Sequence, residues 1–219
     1  MIAVVFALEF EAADFASAAA RRMCVDVWHL GVTGQRAAAV FETKLAKQTP
    51  ALVVSAGLAG ALTSDVGVGD VFVGVNETTP FLLDLLPSIA RAKLLTVSHV
   101  VSTVEEKIRL GVDTGSQIVD METAHLSRIC ADLRIPLLSL RAVSDTCAED
   151  LPLPGNVLID PQTGRPAPGL VFKHLLKNPG SAVGLKRLIT NSKIARKHLS
   201  EALNEILPVL SRNSLDVPA

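Results

Sequence analysis

The sequence predicts an α/β domain in which a central, mixed but largely parallel β-sheet is flanked by helices in three α/β/α layers. Short apolar runs of strand length alternate with longer segments of helical period, which is the pattern of βα units around a buried sheet. Of the 219 residues, 49% are hydrophobic and 20% are charged, which suits one compact domain with a large core. We therefore expect a single domain over residues 1–219.

The elements follow from this pattern in chain order. Several of the apolar runs are rich in valine and isoleucine, which favour strands. The strand candidates are residues 2–7, 25–30, 51–56, 71–75, 94–101, 117–119 and 137–143. The helix candidates are residues 11–22, 35–48, 103–110 and 122–133, with one or two further helices between residues 170 and 210. Between the last strand and these helices, residues 151–169 contain five prolines, so we expect a long ordered loop there.

Charge and composition exclude several classes of protein. A net charge of −1 and a pI near 6.5 provide no basic field for nucleic acid, so we expect a small-molecule partner. Three cysteines without a CxxC pair and five histidines without HxxxH or HExxH spacing indicate no disulfide framework, no metal and no cofactor. Acidic residues interrupt the apolar N-terminus before it could span a membrane or act as a signal. We expect a cytoplasmic protein.

Polar residues directly after strands are the candidates for chemistry, because ligands of open α/β sheets bind at the carboxyl ends of strands. "ALEFEA" follows the first strand with Glu9 and Glu11, "DME" follows a short strand with Asp120 and Glu122, and "AVSDTCAED" contains Ser144 and Asp145. Carboxylates brought together at one sheet edge suit acid/base work on a bound small molecule. Each acid has the alternative role of a helix cap, and the glycines of "SAGLAGAL" have that of a tight strand-to-helix turn.

The order of these motifs resembles the nucleoside phosphorylase and nucleosidase superfamily, and most of all its methylthioadenosine/S-adenosylhomocysteine nucleosidase branch. The resemblance covers roughly residues 1–150. Its most specific parts are the M-E motif at a strand-to-helix junction and the R-A-V-S-D motif after the following strand. The motifs are "ALEFEA", "SAGLAGAL", "VGVGDVFV", "IVDMETAHLSRIC" and "LRAVSDTCAED".

The resemblance implies a phosphorylase/hydrolase-like fold and a role for each matching carboxylate. Glu11 would activate water, Glu122 would hold the ribose hydroxyls and Asp145 would protonate the leaving purine. These residue types fit the chemistry, because charge that develops on the purine must be neutralised and the cationic sugar needs a nucleophile. Asp145 would have to carry a proton when it acts, and we expect Asp120 chiefly to cap its helix. Further substrate contacts are assigned to Ala7, Gly57, Leu58, Val101, Asp120, Met121 and Ser144.

Three positions depart from the family pattern. Leu58 stands where these enzymes commonly have a small hydroxyl residue, and Val101 stands where nucleosidases tend to have an aromatic residue against the base. Ser55 stands where purine phosphorylases have an arginine for phosphate, which favours hydrolysis. Orthophosphate as a co-substrate stays an alternative, through the backbone amides of "GVTGQR" with Arg36 nearby.

The C-terminal third resembles the hopanoid-associated phosphorylase branch, which implies adenine removal from adenosylhopane. The segment from Lys173 to Arg212 contains eight basic and two acidic residues, and apolar residues recur within it at helical spacing. Such a helix either lies on an anionic membrane at the inner face or packs on the sheet with a solvated basic face. The segment "TPFLLDLLPSIA", residues 79–90, is the place where a hydrophobic 5′ substituent would rest or where subunits would meet.

We therefore predict an N-ribosyl hydrolase that releases a purine, adenine above all, from a 5′-modified adenosine, with adenosylhopane as the preferred substrate. The alternatives are a phosphate-dependent purine nucleoside phosphorylase, a methylthioadenosine/S-adenosylhomocysteine nucleosidase and a non-catalytic nucleoside-binding protein. The family further implies a homodimer or a larger homo-oligomer.

Overall fold

The computed structural model describes residues 1–15, 25–31, 34–158 and 167–213. Its strands are β1 (Ile2–Phe6), β2 (Val25–His29), β3 (Leu52–Ala61), β4 (Val71–Gly74), β5 (Ala90–Ala92), β6 (Leu94–Thr96), β7 (Ile118–Asp120) and β8 (Leu137–Asp145). Its helices are α1 (Glu9–Ala12), α2 (Gly34–Lys47), α3 (Pro80–Asp84), α4 (Val104–Thr114), α5 (Thr123–Asp132), α6 (Gly155–Leu158), α7 (Pro168–Lys177) and α8 (Ser181–Asn213).

The strands form one mixed sheet in the order β2-β1-β3-β8-β4-β5, which confirms the predicted α/β class. Most neighbours run parallel, while β4 lies antiparallel to β8 and β7 lies antiparallel to the end of β3. β6 continues the sheet by pairing in parallel with β7. The long strand β3 therefore joins two parts of the sheet, and its second half is shared between β8 and β7.

Helices cover both faces of this sheet. The C-terminal half of α8, including Leu199, Leu203 and Leu207, packs in the larger apolar cluster with residues of β1, β3 and β8. On the other face, Phe41 of α2 and Leu126 of α5 pack against the alternate residues of β1 and β3. Each leucine that is fully removed from water stabilises the fold by roughly 2 kcal/mol. The chain thus has the three layers that its sequence predicts.

Several element boundaries differ from the prediction. The segment "SAGLAGAL" is not a strand-to-helix turn, because β3 continues through it to Ala61 on ladder hydrogen bonds to β8. The strand predicted for residues 94–101 ends at Thr96, and the short elements β5 and α3 were not predicted. Within the loop predicted for residues 151–169, α6 forms a short helix and α7 begins at Pro168, where a proline at the first helical turn costs no hydrogen bond. The predicted helix over residues 11–22 falls partly outside the described residues.

Within the described ranges, no helix combines the length and the apolarity needed to cross a lipid bilayer.

Candidate active site

The carboxyl ends of β1, β3, β7 and β8 surround a cavity of about 220 Å³. Of the residues predicted for the site, all except Gly57 line this cavity: Ala7, Glu11, Leu58, Val101, Asp120, Met121, Glu122, Ser144 and Asp145. Gly57 lines an adjoining cavity of about 10 Å³, which it shares with Glu11 and Glu122. Residues that are far apart in sequence therefore meet at one edge of the sheet.

Glu11 is held in place by two backbone donors. Its Oε2 accepts a hydrogen bond from the N–H of Leu8 at 2.9 Å, and its Oε1 accepts one from the N–H of Leu58 at 3.0 Å. The second contact connects α1 to the middle of β3, across 47 residues of sequence. Burial raises the pKa of the Glu11 carboxyl above its ordinary value, against the opposite effects of these two N–H groups and of Arg141. A buried carboxylate of raised pKa at a cavity wall suits a general base.

Two glycines of β3 make room for carboxylates. A Cβ atom on Gly57 would lie 3.3 Å from Oε1 of Glu11, and one on Gly60 would lie 3.0 Å from Oδ2 of Asp145. A bulge between Ala59 and Gly60 shifts the β3 register, so that Gly60 pairs directly with Asp145. The glycines of "SAGLAGAL" therefore serve close approach of side chains to a strand, which is a recognised use of glycine inside a sheet.

Asp120 and Arg141 form a buried ion pair behind the cavity. Nε of Arg141 donates to Oδ2 of Asp120 at 3.0 Å, and the other N–H groups of Arg141 donate to the carbonyl oxygens of Ser55 and Leu140 and to the hydroxyls of Ser55 and Thr123. All five guanidinium donors thus have acceptors. Asp120 also accepts the backbone N–H of Thr123 at the start of α5, but the N-cap residue of that helix is Glu122, and Arg141 and Thr96 hold the Asp120 carboxylate as well.

Glu122 and Met121 follow β7 directly. Glu122 is the N-cap residue of α5 and lines both the large and the small cavity. Met121 lines the large cavity beside it. The junction of a short strand and a helix thereby points two successive side chains at one site.

Asp145 has partners that the sequence analysis missed. Its Oδ1 accepts the hydroxyl of Ser144 at 3.0 Å, and its Oδ2 accepts Nζ of Lys107 at 2.7 Å. Lys107 is fully buried on the inner face of α4, four residues before the other buried residue of that helix, Gly111. Ile108 and Val112, two apolar residues of this helix, are exposed instead, so the hydrophobic pattern contained no signal that could have identified Lys107.

The remaining wall of the cavity is apolar. Val101 is buried against Leu62 and Val119, and the backbone of Leu58 holds Glu11 while its side chain contacts the core. The wall also includes residues that the sequence analysis did not select, namely Leu8, Ala59, Gly60, Val97, His99, Val100, Val119 and Leu151. The ring of His99 lies 2.8 Å from Glu106. Leu8, Ala59, Gly60 and Val119 lie inside the quoted motifs, but an apolar residue or a glycine carries no chemistry that would have selected it.

The segment predicted to hold a hydrophobic 5′ substituent, residues 79–90, contributes nothing to the lining. It lies by the beginning of β8, where Oγ1 of Thr79 accepts the N–H of Leu137, at the opposite end of that strand from Asp145. Leu82 and Leu86 are core residues. Residues 79–90 therefore do not line this cavity within one chain, and the alternative that they form a subunit contact stays a prediction.

A metal ion would need clustered carboxylate, imidazole or thiolate ligands, and a phosphate would need cations or backbone donors. Among the described residues, no group of three or more histidine, cysteine, aspartate and glutamate side chains is arranged to hold a metal ion. The lining of the large cavity contains neither lysine nor arginine, and Ser55 binds Arg141. The "GVTGQR" loop suggested for phosphate includes positions 32 and 33, which lie outside the described residues.

Comparison with known proteins agrees with this geometry. The model of the phosphorylase superfamily matches residues 77–158. No curated protein sequence matches the chain significantly. Among solved structures, the 5′-methylthioadenosine nucleosidase of Arabidopsis thaliana is 16% identical with a TM-score of 0.62, covering 99% of this chain and 98% of its own.

Two Helicobacter pylori structures are similar as well. The 5′-methylthioadenosine/S-adenosyl homocysteine nucleosidase is 14% identical with a TM-score of 0.62, covering 93% of this chain and 97% of its own. The futalosine hydrolase is 14% identical with a TM-score of 0.59, covering 86% and 97%. At these identities the structures establish the fold. Together with the family model, they confirm the resemblance of this chain to the nucleoside phosphorylase and nucleosidase superfamily.

Proposed function

We propose that the protein is an N-ribosyl hydrolase that releases a purine, adenine above all, from a 5′-modified adenosine. The observation that carries the proposal is the convergence of Glu11, Glu122 and Asp145 on one cavity with a largely apolar wall. Similar nucleosidases act on such compounds, and a Helicobacter pylori relative in fold has 5′-methylthioadenosine in its active site.

Glu11 is proposed to activate the water that attacks the sugar. The small cavity beside it, at about 10 Å³, is of the size that one water molecule occupies, and it borders both Glu11 and Glu122. The two N–H groups on Glu11 fix its carboxylate, so its position is set before substrate binds. A proton taken from water would reside on Glu11 until the product leaves.

Glu122 is proposed to bind the ribose, and Asp145 is proposed to protonate the purine base. A carboxylate that accepts from two vicinal hydroxyls fixes the sugar ring, and charge-assisted hydrogen bonds of this kind are about twice as strong as neutral ones. Asp145 lies on the far side of Gly60 from Glu11, on the next strand. Its proton would pass to the purine as the bond to the sugar breaks, so that the purine leaves neutral.

Hydrolysis is favoured over phosphorolysis by the charges at the site. The lining contributes four carboxylates from Glu11, Asp120, Glu122 and Asp145, and Arg141 has all its donors engaged by protein acceptors. Asp120 and Asp145 are paired with Arg141 and Lys107, but the cavity lining itself provides no cation for a doubly charged phosphate, which the carboxylates of Glu11 and Glu122 would repel. The phosphorylase stays the alternative, through the loop at positions 32 and 33.

The test is chromatographic detection of free purine from methylthioadenosine, adenosine and a lipid-tailed adenosine, each with and without orthophosphate. We expect release without phosphate and its loss in Asp145→Asn. Release only with phosphate would establish the phosphorylase instead. Tight binding of nucleoside with no product from any compound would establish the non-catalytic binding protein.

A lipid-linked substrate, with adenosylhopane as the preferred candidate, is proposed from the surface next to the cavity. Helix α7 has no buried residue, and Phe172 and Leu176 are 64% and 70% exposed. No aspartate or glutamate occurs from position 168 to 200. Lys173 and Lys177 are exposed on the same helix. An apolar and basic helix of this kind fits the surface of an anionic membrane.

This surface reaches the cavity through α6. Gly155 of α6 lies against the side chain of Val100, which lines the cavity, and α6 contacts α7. Pro152 likewise packs on Gly184 of α8, next to the lining residue Leu151. A substrate whose lipid part stays in a membrane beside α7 could therefore place its nucleoside part in the cavity.

Vesicle sedimentation tests the proposed contact of α7 with a membrane. We expect binding to vesicles that contain phosphatidylglycerol, none to pure phosphatidylcholine, and loss of binding in the double variant Phe172→Ser and Leu176→Ser. Phe81→Ser is the matched control, because Phe81 is also exposed but lies on α3. Equal binding of the double variant and the control would refute membrane contact through α7. The homodimer stays a prediction, which sedimentation velocity can check.

A further inference from the structure

Lys107 is a buried cation whose bonding pattern fits two protonation states. Its Nζ donates to Oδ2 of Asp145 at 2.7 Å, to the carbonyl of Thr146 at 2.8 Å and to the carbonyl of Glu149 at 3.2 Å. An ammonium group has three N–H donors, and these three acceptors use all of them. A neutral amine has two donors and one lone pair. It could keep both carbonyl contacts while its lone pair accepts an O–H from Asp145.

The pair is electrically neutral in both arrangements. The side chain of Lys107 is 0% exposed, so its positive charge needs the Asp145 carboxylate beside it. Moving the proton from nitrogen to oxygen replaces two opposite charges with two neutral groups, without breaking a contact. A carboxylate that must carry a proton when it acts thus has a proton donor in direct contact.

We propose that Lys107 is a positioning residue that stores the proton which Asp145 delivers to the leaving purine. The inference rests on the proposed function. As the bond between the sugar and the purine breaks, its electron pair goes to the purine. Asp145 takes a proton from the Lys107 ammonium and passes it to N7 of the purine, which leaves Lys107 as a neutral amine and Asp145 as a carboxylate. Water adds to the sugar and leaves its own proton on Glu11. After release, solvent reprotonates Lys107 and takes the proton from Glu11, so that the sum is hydrolysis.

Other charged groups surround the pair but do not contact Nζ with their side chains. The Glu149 carboxylate pairs with Arg187 at 2.6 Å, and Oδ1 of Asp150 accepts the backbone N–H of Val104. Glu106 contacts His99. The carboxylates that share the cavity with Asp145 are Glu11, Glu122 and Asp120, of which the last is paired with Arg141.

The structure of the surrounding loop explains why the pair is well fixed. Lys107 binds two carbonyls of the turn after β8, and the N–H of Leu151 donates to the carbonyl of Ser102 at the other end of this turn. The turn is therefore attached to α4 and to the segment before it at several points. Asp145 leaves its strand at the beginning of the turn, so α4 controls where its carboxyl points.

The pH dependence of kcat distinguishes a proton store from a simple counter-charge. If the pair supplies the proton, activity persists on the alkaline side for as long as Lys107 keeps it. In Lys107→Met a lone carboxyl must hold the proton, so the alkaline limb moves to lower pH, and kcat near pH 8 falls by about 10²-fold. If Lys107 serves only as a counter-charge, the active form is an Asp145 that is already protonated. Replacing Lys107 then removes a cation that favours the charged carboxylate, so the alkaline limb of the kcat profile moves to higher pH.

The experiment compares purine release by the wild type, Lys107→Met, Lys107→Arg and the control Arg109→Met between pH 5 and 10. Arg109 lies exposed on the same helix, and we expect its variant to match the wild type. Lys107→Arg keeps a positive charge that cannot give up its proton, so we expect kcat to stay low while KM changes little. Rescue by arginine, or an alkaline limb that moves upward, would overturn the inference.

The wild type alone provides a second readout if the variants fail to fold. An activity that already declines with rising pH below neutrality would refute the proton store. Absence of purine release by the wild type at every pH is a different result, since it refutes the proposed function itself.

Discussion

Gly60 and Asp145 lie directly opposite each other on β3 and β8, and a Cβ atom on residue 60 would be 3.0 Å from Oδ2 of Asp145. Oδ2 is also the atom that contacts Lys107. Because Gly60 has no side chain, the carboxyl of Asp145 on the neighbouring strand can lie close to β3.

The first prediction is that Gly60→Ala lowers kcat of purine release by about 10-fold or more, because the methyl group displaces a carboxyl that must be aligned within fractions of an ångström. Gly180→Ala is the control, since nothing lies within 4 Å of a Cβ there. Steady-state kinetics and thermal unfolding of both variants provide the check. Equal kcat values in the two variants would show that the close approach is unimportant.

The second prediction concerns the pH dependence of stability through Glu11. Its pKa is raised in the folded protein, chiefly by burial, so folding favours the protonated carboxyl. This contribution to stability is fully present below the ordinary pKa of 4.5 and is lost as pH rises through the folded value. The free energy of unfolding of the wild type should therefore decline relative to that of Glu11→Gln as pH rises above 4.5. Denaturant titrations of both proteins across pH measure the difference, and parallel curves would contradict it.

The third prediction separates the binding role of Glu122 from capping. Glu122→Ala should raise KM for a nucleoside by roughly 10- to 100-fold, equivalent to the loss of about 1.5–3 kcal/mol from hydrogen bonds to a charged group. Capping alone would change the free energy of unfolding and leave KM as it is. Glu105→Ala is the control, because Glu105 is exposed in the first turn of α4.

The fourth prediction concerns the buried pair of Arg141 and Asp120. Arg141→Met should lower the free energy of unfolding by about 3–5 kcal/mol, because it leaves the Asp120 carboxylate buried without its cation. Adding Asp120→Asn removes that charge, so the double variant should be more stable than Arg141→Met alone. Urea unfolding measures both variants, with the exposed Arg91→Met as control. Additive losses in the double variant would show that the two side chains do not depend on each other.

Much of the fold could be predicted because local pattern decides it. β1, β2, β4 and β8 were found within a few residues because each is rich in apolar residues that favour strands, although only β1 and β8 are buried along almost their whole length. β5 has three residues and α3 has five, which is too short for periodicity to show. The continuation of β3 could not be predicted from local propensity either, because glycines weaken isolated strands and the ladders to β8 and β7 support them here.

Sequence motifs also located the carboxylates of the candidate site. Glu11, Glu122 and Asp145 were selected because they follow strands, and the edges of parallel strands bring such residues together. Lys107 was overlooked because nothing local distinguishes a buried lysine from an exposed one on an amphipathic helix. Arg141 lay inside a selected motif, but most of its acceptors belong to Ser55, Asp120 and Thr123, which are distant from it in sequence.

The sequence by itself determined the α/β class, most strand and helix positions, and the carboxylates at the strand ends, because apolar periodicity and strand-end position are local properties. The tertiary structure decided which groups surround each carboxylate: the backbone donors on Glu11, the space beside Gly60, and the ammonium of Lys107 on Asp145. Apart from the local contact of Leu8 with Glu11, these contacts join residues at least 38 positions apart, and only the packing of β3, β8 and α4 brings them close together.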